Sequence, residues 1–249
     1  MPPHYLETET GRKIAYHKTD GTGPGVVFLG GFASDMEGTK ALYLENWAKA
    51  QGRAFLRFDY SGHGQSSEAF EDGSIGDWAD DAAAAINQLT DGPQILVGSS
   101  MGGWISLLMA KRMPQKISAL IGIAAAPDFT EDSMWTWMSD DQKAELETKG
   151  FVKLASDYDD PYTITKRLIE DGRNQLVLRD PLPLPFPVRL LHGTADVDVD
   201  ISVGLKLLAH AEGPDMQLKL VKDTDHRFSA DKELLIIEAA IAEVTELVQ

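Results

Sequence analysis

Apolar residues recur along this chain in two rhythms. Gly25-Val26-Val27-Phe28-Leu29, Arg53 to Asp59, Gln94 to Val97, Ile117 to Ile123 and Val188 to Leu191 are short apolar runs, as strands of a parallel sheet are when both faces are covered. Between them, Lys40 to Ala50, Ser74 to Leu89, the stretch from Ser100 to Met113, Ile201 to Ala211 and Asp231 to Val248 carry apolar positions at helical spacing. Ser74 and Asp77 stand at capping-box spacing, and Pro114 closes the third of these helices. Near the amino end, Ile14 and Tyr16 alternate with polar neighbours, which predicts an antiparallel strand over Arg12 to His17, and Met216 to Val221 reads as a last strand. Strands alternating with helices predict a mostly parallel sheet with helices on both faces.

The alternation breaks between Pro127 and Pro185. That segment is acidic, carries helical stretches near Asp140 to Thr148 and Thr163 to Asp171, and contains no run that reads as a core strand. We expect a core built from residues 1–126 and 186–249, with residues 127–185 inserted as a helical cap. Met134, Trp135, Trp137, Met138, Phe151, Tyr158 and Tyr162 give the insertion enough apolar area either to roof a site or to form a small core of its own. Pro181, Pro183, Pro185 and Pro187 then favour a stiff, extended return to the sheet.

Composition narrows the function. The chain has 249 residues, 43% of them hydrophobic, which is enough for one sizeable α/β domain. A formal charge of −16 argues against nucleic acid or an anionic membrane face as a partner. With no cysteine there are no disulfides, thiolate nucleophiles or cysteine metal sites. The longest apolar runs, such as Ala119 to Pro127, are too short to span a bilayer. MPPHYLETET has neither a basic-then-apolar signal nor an Arg-rich transit pattern, so a soluble cytoplasmic protein is expected.

The candidate chemistry centres on Gln94 to Met113, where an apolar run stops at Gly98-Ser99-Ser100-Met101-Gly102-Gly103 and resumes with helical spacing. Strand, sharp turn and helix around Gly-x-Ser-x-Gly form the pattern of a nucleophile elbow, in which glycines stand where a side chain would collide. The register selects Ser100, because Ser99 would need glycine at Val97 and Met101. Serine is a poor nucleophile at neutral pH and needs a base oriented by an acid. In this fold the acid follows the serine and the histidine comes last. Asp196, in the loop His192-Gly193-Thr194-Ala195-Asp196, and His226, just after the last strand, stand in that order.

Each role has rivals. His4 and His17 lie near the amino end, His210 sits late in a helix, and His63 and His192 occupy glycine turns, where imidazoles commonly support loops. Asp198 and Asp200 crowd Asp196, and the three together imitate the start of a calcium loop. That reading fails because Ile201 stands where the loop needs glycine and Leu207 where it needs glutamate. No Walker loop, H-E-x-x-H motif or dinucleotide glycine spacing occurs, so neither metal nor cofactor is expected.

Gly30-Gly31-Phe32, Asp59 to Ser66, Gly98 to Gly103, His192 to Asp196 and Asp225-His226 together resemble the α/β-hydrolase superfamily along nearly the whole chain. The resemblance implies an α/β-hydrolase fold, a Ser100, Asp196, His226 triad, and an oxyanion hole formed by the backbone N–H groups of Phe32 and Met101. Many members have His-Gly where this chain has Gly30-Gly31, which leaves open what supports the oxyanion loop. Gly98 to Trp104, Ala119 to Pro127 and Leu220 to His226 are similar to one branch, that of the mitochondrial palmitoyl-protein thioesterase, which also hydrolyses acyl glucuronides. That similarity implies an acylated small-molecule or protein substrate cleaved at an ester or thioester. Without a targeting extension the mitochondrial setting is not expected to carry over. Met134, Trp135, Trp137 and Met138 are the expected acyl-binding residues of the cap. The competing class is a hydrolase-fold receptor that only binds; an intact triad distinguishes the two, since a binder needs no activated serine.

Overall fold

The computed structural model describes residues 2–154 and 161–248, so Tyr158 lies outside the described residues. Its principal elements are, in chain order, β1 (His4–Glu7), β2 (Lys13–Thr19), β3 (Thr22–Leu29), α1 (Thr39–Ala50), β4 (Arg53–Phe58), α2 (Ile75–Leu89), β5 (Gln94–Ser99), α3 (Met101–Arg112) and β6 (Ile117–Ile123). A π-helical turn (Thr130–Trp135), α4 (Asp140–Lys149), β7 (Phe151–Leu154), β8 (Tyr162–Thr165) and α5 (Lys166–Asn174) follow. The chain closes with β9 (Leu182–Pro183), β10 (Val188–Gly193), α6 (Ile201–His210), β11 (Ala211–Glu212), β12 (Met216–Val221) and α7 (Asp231–Leu247).

Eight strands make one sheet in the order β1-β2-β4-β3-β5-β6-β10-β12. The first two pairings, β1 with β2 and β2 with β4, are antiparallel, and the remainder are parallel. This is the expected α/β-hydrolase architecture. The continuous apolar runs follow from it, because successive side chains on a pleated strand enter opposite layers. Val27, Leu29, Leu96 and Leu120 pack with Ala82, Trp104 and Leu108 of α2 and α3. Val26, Phe28, Ile95, Val97, Ala119 and Ile121 pack with Ala41 and Leu44 of α1 and Ile237 and Ile241 of α7. No helix among the described residues is long and apolar enough to cross a membrane.

The sheet also locates the crevice. From β3 the chain moves through β4 towards one edge, then returns to place β5 on the other side of β3. Strand order reverses there, and the loops leaving the carboxyl ends of β3 and β5 diverge around an opening. Those loops carry Phe32 and Ser100.

Several local readings shift. The helix expected from Thr163 begins at Lys166, because Thr163-Ile164-Thr165 is β-branched and pairs with β7 as a hairpin, and the Thr165 side chain caps α5 by accepting the Leu168 N–H at 3.1 Å. The strand β1 was too short to show a period, with only Leu6 buried. Both ends of the segment between β6 and β10 are tied to each other. Buried Asp128 accepts the N–H groups of Val177 and Leu178 at 2.8 and 3.0 Å, and the Trp104 indole of α3 donates to Gln175 O at 3.1 Å.

Candidate active site

Ser100 follows β5 directly and precedes the first residue of α3, with φ +55° and ψ −117°. A side chain in that conformation costs of order 1–3 kcal/mol and persists only where the surroundings impose it. They do so here. The Ser100 N–H donates to Ile123 O at 2.9 Å, and its carbonyl accepts from Gly103 N at 2.9 Å and Ala126 N at 3.1 Å, which clamps the turn against the end of β6. The glycines are needed for approach: a Cβ on Gly102 would lie 2.0 Å from Leu29 O, and one on Gly98 2.3 Å from Gly102 O. Gly102→Ala is therefore expected to push α3 off β3 and cost about 1–3 kcal/mol. A thermal melt should show a Tm lower by several degrees, and an unchanged Tm would contradict this packing.

Asp196 lies on the loop after β10 and His226 on the loop after β12, and the parallel pairing of those strands brings the two together. His226 Nδ1 donates to Asp196 Oδ2 at 2.9 Å. The other carboxylate oxygen accepts the N–H groups of Asp198 at 3.0 Å and Val199 at 2.8 Å, so the fully buried carboxyl group is held at both ends. With its proton on Nδ1, the imidazole keeps a lone pair on Nε2. Ser100 and His226 line the same cavity, and no hydrogen bond joins them among the described residues. Such bonds are often long without substrate.

The rivals are accounted for by their contacts. His192 is buried, with Nε2 on Val199 O at 2.8 Å, and His210 Nε2 meets Asp180 O at 2.9 Å. Asp200 caps α6, accepting the Ser202 N–H at 2.8 Å, and the Ser202 hydroxyl first and this N–H second hold its pKa below the usual range. Ligand atoms of Asp196, Asp198 and His226 lie within 4.8 Å of one another, a spacing a cation could use. Asp196 has its oxygens engaged by His226 and two amides, which suits the orientation of an imidazole better than the coordination of a metal.

Two cavities meet at Ser100. One, of 410 Å3, is lined by Phe32, Ser100 and His226, by Met134, Trp137 and Met138, and by Phe129, Leu154, Tyr162 and Ile164. The other, of 280 Å3, shares Phe32, Ser100 and His226 but is walled by Ser34, Asp35, Thr39, Lys40, Arg227 and Ser229. The Lys40 ammonium donates to Arg227 O, beside His226. Burial pulls its pKa down to about 8, against the nearby Asp225 carboxylate. Met101 is fully buried, and neither its amide nor that of Phe32 donates to a protein acceptor among the described residues.

Residues 24–171 match the family described as alpha/beta hydrolase fold. The chain belongs to this family. Palmitoyl-protein thioesterase ABHD10, mitochondrial, of Homo sapiens is 39% identical over 227 residues, covering 90% of this chain and 74% of that protein. The Bos taurus protein of the same name is 38% identical over the same shares. Among solved structures, alpha/beta hydrolase domain-containing protein 10 from mouse is 32% identical, with a TM-score of 0.92 and 100% of both chains covered. A chain from Agrobacterium vitis S4 is 36% identical, with a TM-score of 0.93 over 99% of this chain and 98% of that one. The branch resemblance carried by Gly98 to Trp104, Ala119 to Pro127 and Leu220 to His226 thus extends over 90% of this chain. The expectation of a cytoplasmic protein does not stand, because the relatives from Bos taurus, Homo sapiens and Pongo abelii are all named as mitochondrial. The residues that build the core serve equally in either compartment, and the cytoplasmic expectation rested on the amino-terminal stretch.

One expected cap residue departs from the cavity. Trp135 is absent from its walls, and its ring instead carries the Arg173 guanidinium at 4.5 Å and the Lys143 ammonium at 5.1 Å from the ring centroid. Phe151 is also turned outward, 41% exposed. In their place Phe129, Val199 and Val203 line the cavity. Val199 stands just before Asp200, the N-cap of α6, and Val203 lies in the first turn of that helix, so no single period links them in the sequence.

Proposed function

We propose that this hydrolase cleaves acyl thioesters or carboxylic esters through an acyl-enzyme on Ser100. The observation that carries this reading is the His226–Asp196 hydrogen bond, with His226 lining a cavity that the strained Ser100 also lines. In the reaction, Ser100 Oγ attacks the acyl carbon while His226 Nε2 takes its proton. The negative charge that develops on the carbonyl oxygen is met by the N–H groups of Phe32 and Met101, the latter at the positive end of α3. Collapse expels the thiol or alcohol, which recovers the proton from His226. Water, activated by the same nitrogen, then releases the acid and restores the serine.

The two cavities suggest which half of the substrate goes where. The apolar one suits an acyl chain, and the polar one beside Lys40 suits the departing thiol or alcohol. Similarity to proteins named palmitoyl-protein thioesterase supports a long-chain acyl group on a thioester, and acyl glucuronides are a second class to test. In this reading residues 127–185 act as the cap, with Met134, Trp137 and Met138 against the chain.

Each methylene buried contributes up to about 0.8 kcal/mol, so kcat/KM should rise by up to roughly fourfold per carbon until the cavity is full. A series of acyl thioesters and nitrophenyl esters from acetyl upward measures this directly. Met134→Ala and Trp137→Ala are expected to flatten the rise, whereas Trp135→Ala should lower Tm and leave the profile alone. Preference for acetyl over every longer chain would remove the acyl cavity from the account.

A further inference from the structure

Gly30-Gly31 offers no side chain to brace the loop that carries Phe32. The next residue, Ala33, has φ +54°, a backbone conformation that needs support from outside the loop. It comes from the loop after β4. The Ala33 N–H donates to His63 Nε2 at 3.2 Å, and His63 Nδ1 in turn donates to Ser61 O at 3.1 Å. That second bond sets the tautomer, leaving Nε2 with the lone pair that Ala33 requires. The ring is buried, edge-on to Phe70 at 5.1 Å and Trp78 at 5.0 Å between centroids. The Phe32 ring packs on the same two side chains, at 4.9 and 5.9 Å. Asp59 ties the loops again, accepting Met36 N–H at 2.6 Å on one oxygen and Gln65 N–H at 2.8 Å on the other.

We propose that His63 is a positioning residue of the oxyanion loop: by accepting the Ala33 N–H it aims the neighbouring Phe32 amide at the carbonyl oxygen of a substrate attached to Ser100. The inference rests on the serine-hydrolase reading above and adds to it the group that stands in for the missing His-Gly. His63 touches no reacting atom. Its effect passes through the peptide between Phe32 and Ala33: fixing that plane limits the rotation at the Phe32 Cα about which the peptide carrying the Phe32 N–H is set. Burial holds the imidazole pKa down to about 4, so the acceptor nitrogen stays unprotonated at neutral pH. A cation in its place would present N–H to N–H and break the brace.

The test compares His63→Phe, which keeps a flat ring but offers no acceptor, with His63→Gln, whose Oε1 falls where Nε2 was. For His63→Phe, kcat should fall on the order of 100-fold with KM nearly unchanged, because the loss appears as charge develops on the carbonyl oxygen. Affinity for a trifluoromethyl ketone of the best acyl chain, which forms a tetrahedral adduct on Ser100, should fall in parallel, while affinity for the free fatty acid stays constant. His63→Gln should recover most of both losses. All three readings are taken per folded molecule, with Tm recorded for each variant. Equal kcat and ketone affinity in wild type and His63→Phe would overturn the proposal, and so would a His63→Gln variant as impaired as His63→Phe. If the wild type forms no ketone adduct, the serine-hydrolase reading itself fails, which separates the two.

Discussion

Ser100→Ala is expected to lower turnover by about 10^6-fold, to the limit of detection, and to abolish labelling by a fluorophosphonate probe. The substitution removes one hydroxyl from a turn whose backbone bonds to Ile123, Gly103 and Ala126 do not involve it, so Tm should stay within a degree or two of the wild type. Ser99→Ala is the control. Ser99 ends β5 and reaches only the polar cavity, so labelling and turnover should persist. Near-normal turnover in Ser100→Ala with an intact fold would show that the elbow does not hold the nucleophile. Loss of activity in Ser99→Ala alone would move the assignment by one residue and leave the positive φ of Ser100 unexplained.

That prediction depends on a feature readable in one dimension. The elbow is local: two glycines are demanded by approaches of 2.0 and 2.3 Å to main-chain oxygens within a few residues of Ser100 or on the adjacent strand, so the constraint shows in the sequence. The sheet was legible for a similar reason. Strands buried on both faces have no choice but to be apolar at successive positions, as Val26 to Leu29 are in entering two different layers. The small strands β1, β9 and β11 were not, since two to four residues carry no period.

The segment proposed as the cap shows where composition stops being informative. Met134-Trp135-Thr136-Trp137-Met138 is apolar enough for a pocket wall, but composition alone does not say which of its side chains face the cavity. Met134, Trp137 and Met138 stand at i, i+3 and i+4, and the Met138 N–H donates to Met134 O at 3.1 Å, so they share one helical face from which Trp135 is excluded. Trp135 consequently meets Arg173 and Lys143 while Met134 and Met138 meet the cavity. His63 illustrates the converse. Its sequence position, in a glycine turn, suggested support of a loop, yet nothing in one dimension says that the loop is the one after β3, because their contact depends on β3 and β4 being neighbours.

The proposed acid, Asp196, was the least legible of the candidate site residues, and it gives the second large effect. Asp196→Asn is expected to reduce kcat by about 10^4-fold, while Asp198→Asn and Asp200→Asn each lose little. The reason lies in which atoms are occupied. Asp196 Oδ2 accepts from His226 Nδ1, and an amide nitrogen placed there would present a donor to a donor, or turn the imidazole to the tautomer with its proton on Nε2. In the first case the imidazole is no longer held in place, and in the second Nε2 loses the lone pair that has to take the serine proton. The alternative amide rotamer would keep an oxygen towards His226 but set NH2 against the N–H groups of Asp198 and Val199, leaving two donors facing one and destabilising the loop. Asp200 makes its bond to Ser202 N through an oxygen that asparagine also has, and Asp198 contributes its main-chain N–H, which the substitution leaves untouched. Steady-state rates on one acyl thioester, with circular dichroism to verify folding, decide between the three positions. Were Asp198→Asn the inactive variant and Asp196→Asn near normal, the imidazole would have to be oriented from the exposed side of the cluster, and the bond of 2.9 Å seen here would not be the one used in turnover.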